Sequence, residues 1–438
     1  MTLAADTSRI SRWRAWLRTR RGRHALAAVW ALAVIGLAVW YYWYGFSWPV
    51  DGFLQAERPT PKTGYFRDPG DVDAILESAD KGDSLSGALT WFTETWTTAF
   101  TDYYRPVALA SIWVDRTVWG RRSLPYRLHN VLLHILCTFL LAYLVTRLAS
   151  SIWPGMLAGL IWACYPWTVG AVMWIAGRTD LLAAFFYLLA LIMVVIMKRN
   201  DRRWYLWPAS LLCFLLSLGS KEVAVTLPVL VSVWMVAWRD PPSWGRRLLI
   251  AASYWVVLVG FWAARSHALG TLTSDTIISD RLVKTGVHLW WARFMFKGVT
   301  DWFLYPPWLG SGWLMALTPT FYKFILYQTV FWGSAVLLWR TCRRPAVAAV
   351  VWKGVTVVPI FMALPYFVWT HYWYLPCMGT VALIALVVWQ VCVALPSVAA
   401  WARRVAVERG LTLSDFSLRS GGEPASDSPL ESSAEQED

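Results

Sequence analysis

The sequence predicts an all-α, polytopic membrane protein with about ten transmembrane helices and a long outer first loop that contains short helices. Three observations predict it. Of the 438 residues, 57% are apolar and only 15% charged, the balance of a chain whose main solvent is lipid. Apolar runs of roughly twenty residues, enough to cross a bilayer, recur along the chain. Basic residues gather at alternate ends of those runs, as cytoplasmic loops require. The 33 Trp and 18 Tyr fit the same class, because amphipathic rings collect at the water–lipid boundary.

Residues 1–24 hold seven Arg and one Asp, which places a basic N-terminus in the cytoplasm ahead of the first helix, 25–46. That run is too long for a cleaved signal peptide and no small-residue cleavage site follows it. Later helices are expected at 126–147, 152–165, 179–198, 204–219, 223–238, 248–265, 320–340, 346–368 and 377–399. Arg147, Lys198 with Arg199, Arg202 and Arg203, Arg239 with Arg246 and Arg247, Arg340 with Arg343 and Arg344, and Arg403 with Arg404 mark the inner ends. Residues 281–303 mix Lys284, His288, Arg293, Lys297 and Asp301 with six aromatic residues. Counting them as a span would reverse every later basic cluster, so they are read as a helix in the outer interface.

The expected organisation is a cytoplasmic N-terminus (1–24), the first transmembrane helix (25–46), an outer loop with interfacial helices (47–125), helices two to seven (126–270), an outer interfacial segment (271–319), helices eight to ten (320–400) and a disordered acidic cytoplasmic tail (401–438). The stretch 47–105 carries ten acidic residues and is far longer than an ordinary connection, which points to a functional element. Six Cys stand singly, with no Cys-x-x-Cys pair, so neither a disulfide framework nor a structural metal is expected. The net charge of +13 is a topology signal rather than a nucleic-acid footprint. Asp71-Val72-Asp73 matches the Asp-x-Asp of soluble nucleotide-sugar transferases, but in so acidic a loop the match reads as chance. Gly155 and Gly159 permit close helix contact or serve ordinary packing.

Unusual polar residues sit at the expected outer ends of the spans: Asp51 in WPVDGF, Asp102 and Arg105 in DYYRP, Arg178 and Asp180 in GRTD, Lys221 and Glu222 in GSKEV, and His371 in THYWYLP. On the second span Arg127, Asn130 and His134 fall at i, i+3 and i+7, one helix face. His129 and His134 lack the i, i+4 spacing of a helical zinc pair and read as packing or hydrogen-bonding residues. Ionisable groups at membrane depth are costly and face a partner or an aqueous site. Their recurrence points to one outward-facing cluster.

The segments YYRPVALASIWVDRTVWGRRSLPYRLHNVLLH (103–134), YPWTVGAVMWIAGRTDLLAAFFYLLAL (165–191), SKEVAVTLPVL (220–230) and YLPCMG (374–379) resemble the membrane core of the transmembrane and tetratricopeptide-repeat O-mannosyltransferases, glycosyltransferases of the GT-C fold. The ordered series Arg-Pro, Asn-x-x-x-His, Gly-Arg-x-Asp-Leu-Leu and Ser-Lys-Glu carries the resemblance, which is strong over about 100–230. It implies transfer of a sugar, mannose in the family, from a polyprenyl-phosphate donor to a protein or glycan acceptor on the non-cytoplasmic side, with no further cofactor. Arg105, Arg178 and Lys221 are then the candidates for binding the donor phosphate, and Asp51 for the general base. Asp180 and Glu222 would orient these cations, and Asn130, His134 and His371 complete the candidate binding set. Departures from the pattern are Gly52 after Asp51, where the family has two adjacent acids, and Tyr165, Pro166 and Gly170, where it has His-Pro and a nearby Glu. The family's outer repeat domain is also expected to be absent. The alternative reading is a non-catalytic lipid-carrier-binding or scaffold protein on a diverged GT-C fold.

Overall fold

In the computed structural model residues 19–46, 92, 96–97, 102–120, 122–199, 203–237, 243–270, 333–334, 337–338, 341–363 and 370–408 are described. They are helical apart from one antiparallel pair of two-residue strands, β1 (Trp96–Thr97) and β2 (Asp102–Tyr103), with Trp96 opposite Tyr103. The helices are α1 (Arg20–Phe46), α2 (Pro106–Trp119), α3 (Ser123–Ala149), α4 (Ile152–Ala163), α5 (Val169–Val172), α6 (Arg178–Arg199), α7 (Leu206–Leu218), α8 (Leu227–Ala237), α9 (Trp244–Leu269), α10 (Arg343–Ala363) and α11 (Tyr374–Glu408). Short 3-10 turns at Pro166–Thr168, Ile175–Gly177, Glu222–Thr226 and Thr370–Trp373 join several of them.

Five segments are long and apolar enough to cross a membrane: Arg20–Tyr42, Leu124–Ala149, Ile175–Met197, Trp244–Leu269 and His371–Ala394. The chain is an integral membrane protein. These five correspond to the expected spans at 25–46, 126–147, 179–198, 248–265 and 377–399. Three further apolar helices, Ile152–Ala163, Leu206–Leu218 and Glu222–Val236, are shorter. A helix of 12 residues rises about 18 Å at 1.5 Å per residue, well short of a hydrocarbon core about 30 Å thick. Helix α10 covers part of the expected ninth span, yet it contains Lys353 and Pro359 and begins on Arg343 and Arg344. The expected span 320–340 lies mostly outside the described residues, as do the interfacial helix at 281–303 and most of the loop 47–105. The last helix does not stop near 399; it continues through Arg403 and Arg404 to Glu408, so the first residues assigned to the tail are helical.

Two compact units divide the chain, Met1–Val388 and Trp389–Asp438. In the first, α6 is the central element: it packs on α7 and α3, and its Leu181, Ala183, Ala184, Tyr187, Leu188, Ala190 and Leu191 are buried all round. A helix with no polar face belongs in the middle of a bundle. Around it α3 packs on α4, α1 on both, and α9 on α7 and α8. Trp30 of α1 donates its indole N–H to the Met156 carbonyl of α4 at 2.9 Å. The outward faces of α1, α3 and α9 carry exposed Leu32, Trp40, Leu128, Leu132, Val256 and Val259, the surface lipid would cover. In the second unit the described residues are the C-terminal part of α11.

The contact between α3 and α4 depends on Gly155. A Cβ there would lie 1.9 Å from Thr146 Oγ1 and 2.4 Å from the Ala142 carbonyl oxygen, closer than atoms approach, and the second of these obstacles is backbone. At Gly36 nothing lies within 4 Å of the same added atom. Gly155→Leu is therefore expected to cost about 1–3 kcal/mol by overpacking, lowering the unfolding midpoint in detergent, whereas Gly36→Leu leaves it unchanged.

Candidate functional site

The local backbone of the first unit brings together residues that are far apart in the chain. Arg105 precedes Pro106, and proline disfavours the helical conformation in the residue before it; Arg105 adopts φ −135°, ψ 61° and Pro106 opens α2. Proline suits that first position because its missing N–H would have had no partner there. The next N–H, of Val107, donates to the Gly219 carbonyl at 3.0 Å, docking the start of α2 on the turn that ends α7. Two residues beyond Gly219 the chain extends at Lys221, φ −160°, ψ 148°, before the Glu222–Thr226 turn. This docking places Arg105 against Glu222.

Arg105 Nη2 and Nε donate to Glu222 at 2.7 and 3.1 Å, a two-pronged pair of the kind a planar guanidinium favours. The Tyr103 ring lies 4.1 Å beneath the guanidinium carbon. Burial opposes the charge on Arg105, but the Glu222 carboxylate outweighs it and holds the guanidinium charged more firmly than usual. Lys221 Nζ donates to both oxygens of Asp180, at 2.6 and 2.7 Å, and sits 4.3 Å over the Tyr372 ring. Asp180 lies in the first turn of α6, where the helix dipole favours an anion. His371 packs its ring on Trp174 and Tyr372, close enough to Lys221 and Arg105 to feel their charges. These residues form one cluster.

Arg178 belongs to another. Its Nη1 is 2.6 Å from Asp115 of α2 and 3.2 Å from Ser111 Oγ, its Nε donates to Asn130 Oδ1 at 2.6 Å, and its Nη2 donates to the Tyr126 carbonyl at 2.9 Å. All three nitrogens are engaged and the side chain is fully buried. Asn130 also donates to the Trp174 carbonyl at 2.9 Å. His129 Nδ1 lies 3.0 Å from Asp115 and 3.1 Å from Arg178; protonated it donates to the carboxylate, unprotonated it accepts from the guanidinium. Leu109, Ile112, Tyr126, Ile175 and Ala176, from the same segments, form one buried apolar group. Gly177 lets the chain turn there, since a Cβ would meet the Ala171 carbonyl at 2.2 Å. Burial pushes the Asp115 carboxyl up, but the hydrogen bond from His129 and the charge of Arg178 prevail and leave it below the usual carboxylate range.

His134 stands apart from both groups, fully buried among Tyr42, Trp162 and Tyr374. Its Nδ1 lies 2.8 Å from the Tyr374 hydroxyl, and Tyr42 in turn hydrogen-bonds Thr168. Asp51 lies outside the described residues. Sequence reasoning missed Asp115, which reads in WVDRT as an ordinary acid on an amphipathic helix, and it took His129 as a packing or hydrogen-bonding residue without naming its partners. No group of three His, Cys, Asp or Glu side chains among the described residues could hold a metal ion.

No family model matches the chain. Curated relatives do. Protein O-mannosyl-transferase Tmtc2 of Drosophila melanogaster is 29% identical over 168 residues, 36% of this chain and 18% of that protein. Protein O-mannosyl-transferase TMTC2 of Homo sapiens is 33% identical over 138 residues, 30% of this chain and 16% of that one. Protein O-mannosyl-transferase TMTC3 of Mus musculus is 25% identical over 173 residues, 38% and 19%. The chain therefore spans roughly a fifth of the length of the relatives it matches, and these matches agree with the resemblance carried by the quoted motifs.

Asp115→Asn leaves the Arg178 charge buried without its counter-ion, at an expected cost of about 3–5 kcal/mol. Replacing both, as Asp115→Leu with Arg178→Met, is expected to recover much of that. The sign of the pH effect follows from the depressed carboxylate: its contribution is complete above the unfolded value of about 4 and is lost as pH falls through the lower folded value. Thermal melts from about pH 6 to about pH 3 should show the stability gap between wild type and Asp115→Asn closing at the acid end.

Proposed function

We propose that the protein is a membrane glycosyltransferase of GT-C type, with about ten spans, that transfers a sugar from a polyprenyl-phosphate donor to a protein or glycan acceptor on the non-cytoplasmic face. The observation that carries this reading is the meeting of Arg105 and Lys221. They come from segments more than a hundred residues apart, each is fixed by its own carboxylate, and Lys221 lies near enough to Arg105 for the guanidinium charge to act on it. Like charges held together in a membrane protein are costly, and an anionic ligand relieves that cost. The relatives' names supply the reaction class, and mannose as the sugar rests on them and on the resemblance alone.

In this reading Arg105 and Lys221 border the donor phosphate. Arg178, whose nitrogens are committed to Asp115, Ser111, Asn130 and Tyr126, braces α2, α3 and α6 around it, because a phosphate would have to displace Asp115 to reach it. Glu222 and Asp180 hold the cations in position. An acceptor hydroxyl attacks the anomeric carbon, the carbon–oxygen bond to the phosphate breaks, and polyprenyl phosphate departs with the bonding pair. Asp51 takes the hydroxyl proton. The cations act on the charge that grows on the leaving phosphate oxygen, where fixed electrostatics contribute most.

The test is transfer of labelled mannose from a polyprenyl-phosphate donor by the purified full chain. Asp51→Asn is expected to melt like wild type and to lose transfer by about 10²–10⁴-fold, the scale of a missing general base. Full activity in that variant refutes the base assignment. Wild-type protein that binds the donor yet transfers nothing to any acceptor supports the scaffold reading instead.

A further inference from the structure

Helix α9 contributes a buried cation that no sequence motif singled out. Phe261 packs on Tyr104, ring centres 5.6 Å apart, which sets this face of α9 beside the residue preceding Arg105. Arg265 follows Phe261 by four residues and so shares its face. It is 7% exposed, with its guanidinium carbon 5.1 Å from the Trp262 ring centre. Its Nε and Nη1 are buried with no hydrogen-bond partner among the described residues. Both Glu222 and Arg105 are near enough to act on its charge. Glu222, however, already gives both oxygens to Arg105, and Asp180 gives both of its own to Lys221.

Among the described residues, then, three cations stand against two carboxylates. One positive charge is left over, on the side chain with donors to spare. A buried guanidinium with unfilled N–H groups is expensive, and at membrane depth such a group marks a ligand site. The cluster is not sealed, because the Glu222 side chain is 32% exposed. Two parallel N–H groups of an arginine fit two oxygens of a phosphate. A phosphodiester offers two such oxygens with its single negative charge.

We infer that Arg265 is the anchor for a singly charged phosphodiester headgroup, so that the donor phosphate is gripped by a third cation from α9 in addition to Arg105 and Lys221. The inference rests on the donor reading above and adds to it the residue. It also divides the work. Arg105 and Lys221 are pre-positioned by their carboxylates, while Arg265 is the cation whose hydrogen bonds are completed only by the ligand.

The experiment is binding by the purified full chain in nanodiscs, with three probes: a short-chain polyprenyl phosphomannose, the uncharged polyprenol of the same length, and inorganic phosphate. Wild type is expected to prefer the phosphodiester over the polyprenol. Arg265→Met should cut that preference about tenfold to a hundredfold, the span of a lost charge-assisted contact, while binding the polyprenol as before, a readout that a general packing defect does not produce. If Arg265→Met does not purify, Arg265→Lys decides: it keeps the charge and loses the fork, so a fall of about threefold to tenfold is expected, and an unchanged affinity overturns the inference. Wild-type preference that survives intact in Arg265→Met removes Arg265 and leaves the donor reading standing. No preference in wild type removes both. Inorganic phosphate bound as tightly as the lipid phosphodiester overturns the assignment to a lipid headgroup.

Discussion

A charge taken out of water must find an opposite charge and a full set of hydrogen bonds, and the first compact unit is organised around that requirement. Moving an ion into a medium of low dielectric costs several kcal/mol even after relaxation. Three carboxylate–cation pairs meet the cost: Asp115 with Arg178, Asp180 with Lys221, and Glu222 with Arg105. Each pair joins different elements. Together they tie α2 to α6, α6 to the turn after α7, and that turn back to the residue that precedes α2. The pairs thus determine which helix ends meet, and apolar packing fills the space between.

Arg178 and Asp180 show how the same residues serve two purposes. They are two positions apart at the start of α6, and residues at that spacing on a helix do not face each other. Arg178 turns toward α2 and α3, Asp180 toward Lys221. The arginine is fully buried with every nitrogen occupied, which suits a brace. The aspartate faces a cluster that holds two further cations and stays partly open at Glu222, which suits the proposed binding role.

Much of this was legible in the sequence. Hydropathy marked α1, α3, α6, α9 and α11, and the recurrence of charges at helix ends singled out Arg105, Arg178, Asp180, Lys221 and Glu222 before any geometry was known. What the pattern could not supply was partnership. Asp115 looks like a solvated acid in an amphipathic helix, and only the docking of α2 turns it inward. Arg265 looks like the basic end of a span, and only the contact between Phe261 and Tyr104 shows which way its helix face is turned. Asn130 and His134 share a helix face in sequence, yet they serve separate groups because α3 is long enough to pass both. The ends of α4 and α7 fall within two residues of the expected 152–165 and 204–219, because the apolar runs there are bounded by polar or turn-forming residues.

The three ion pairs also constrain how the chain can be made. Arg105 and Glu222 are 117 positions apart and Asp180 and Lys221 are 41 apart, and in each case the first member leaves the ribosome well before the second. At about 5–20 residues per second, Arg105 waits roughly 6–23 seconds for its counter-ion. Until Ser220–Glu222 emerges, neither Arg105 nor Asp180 has the partner that the folded unit gives it, so both pairs depend on this one short stretch of chain.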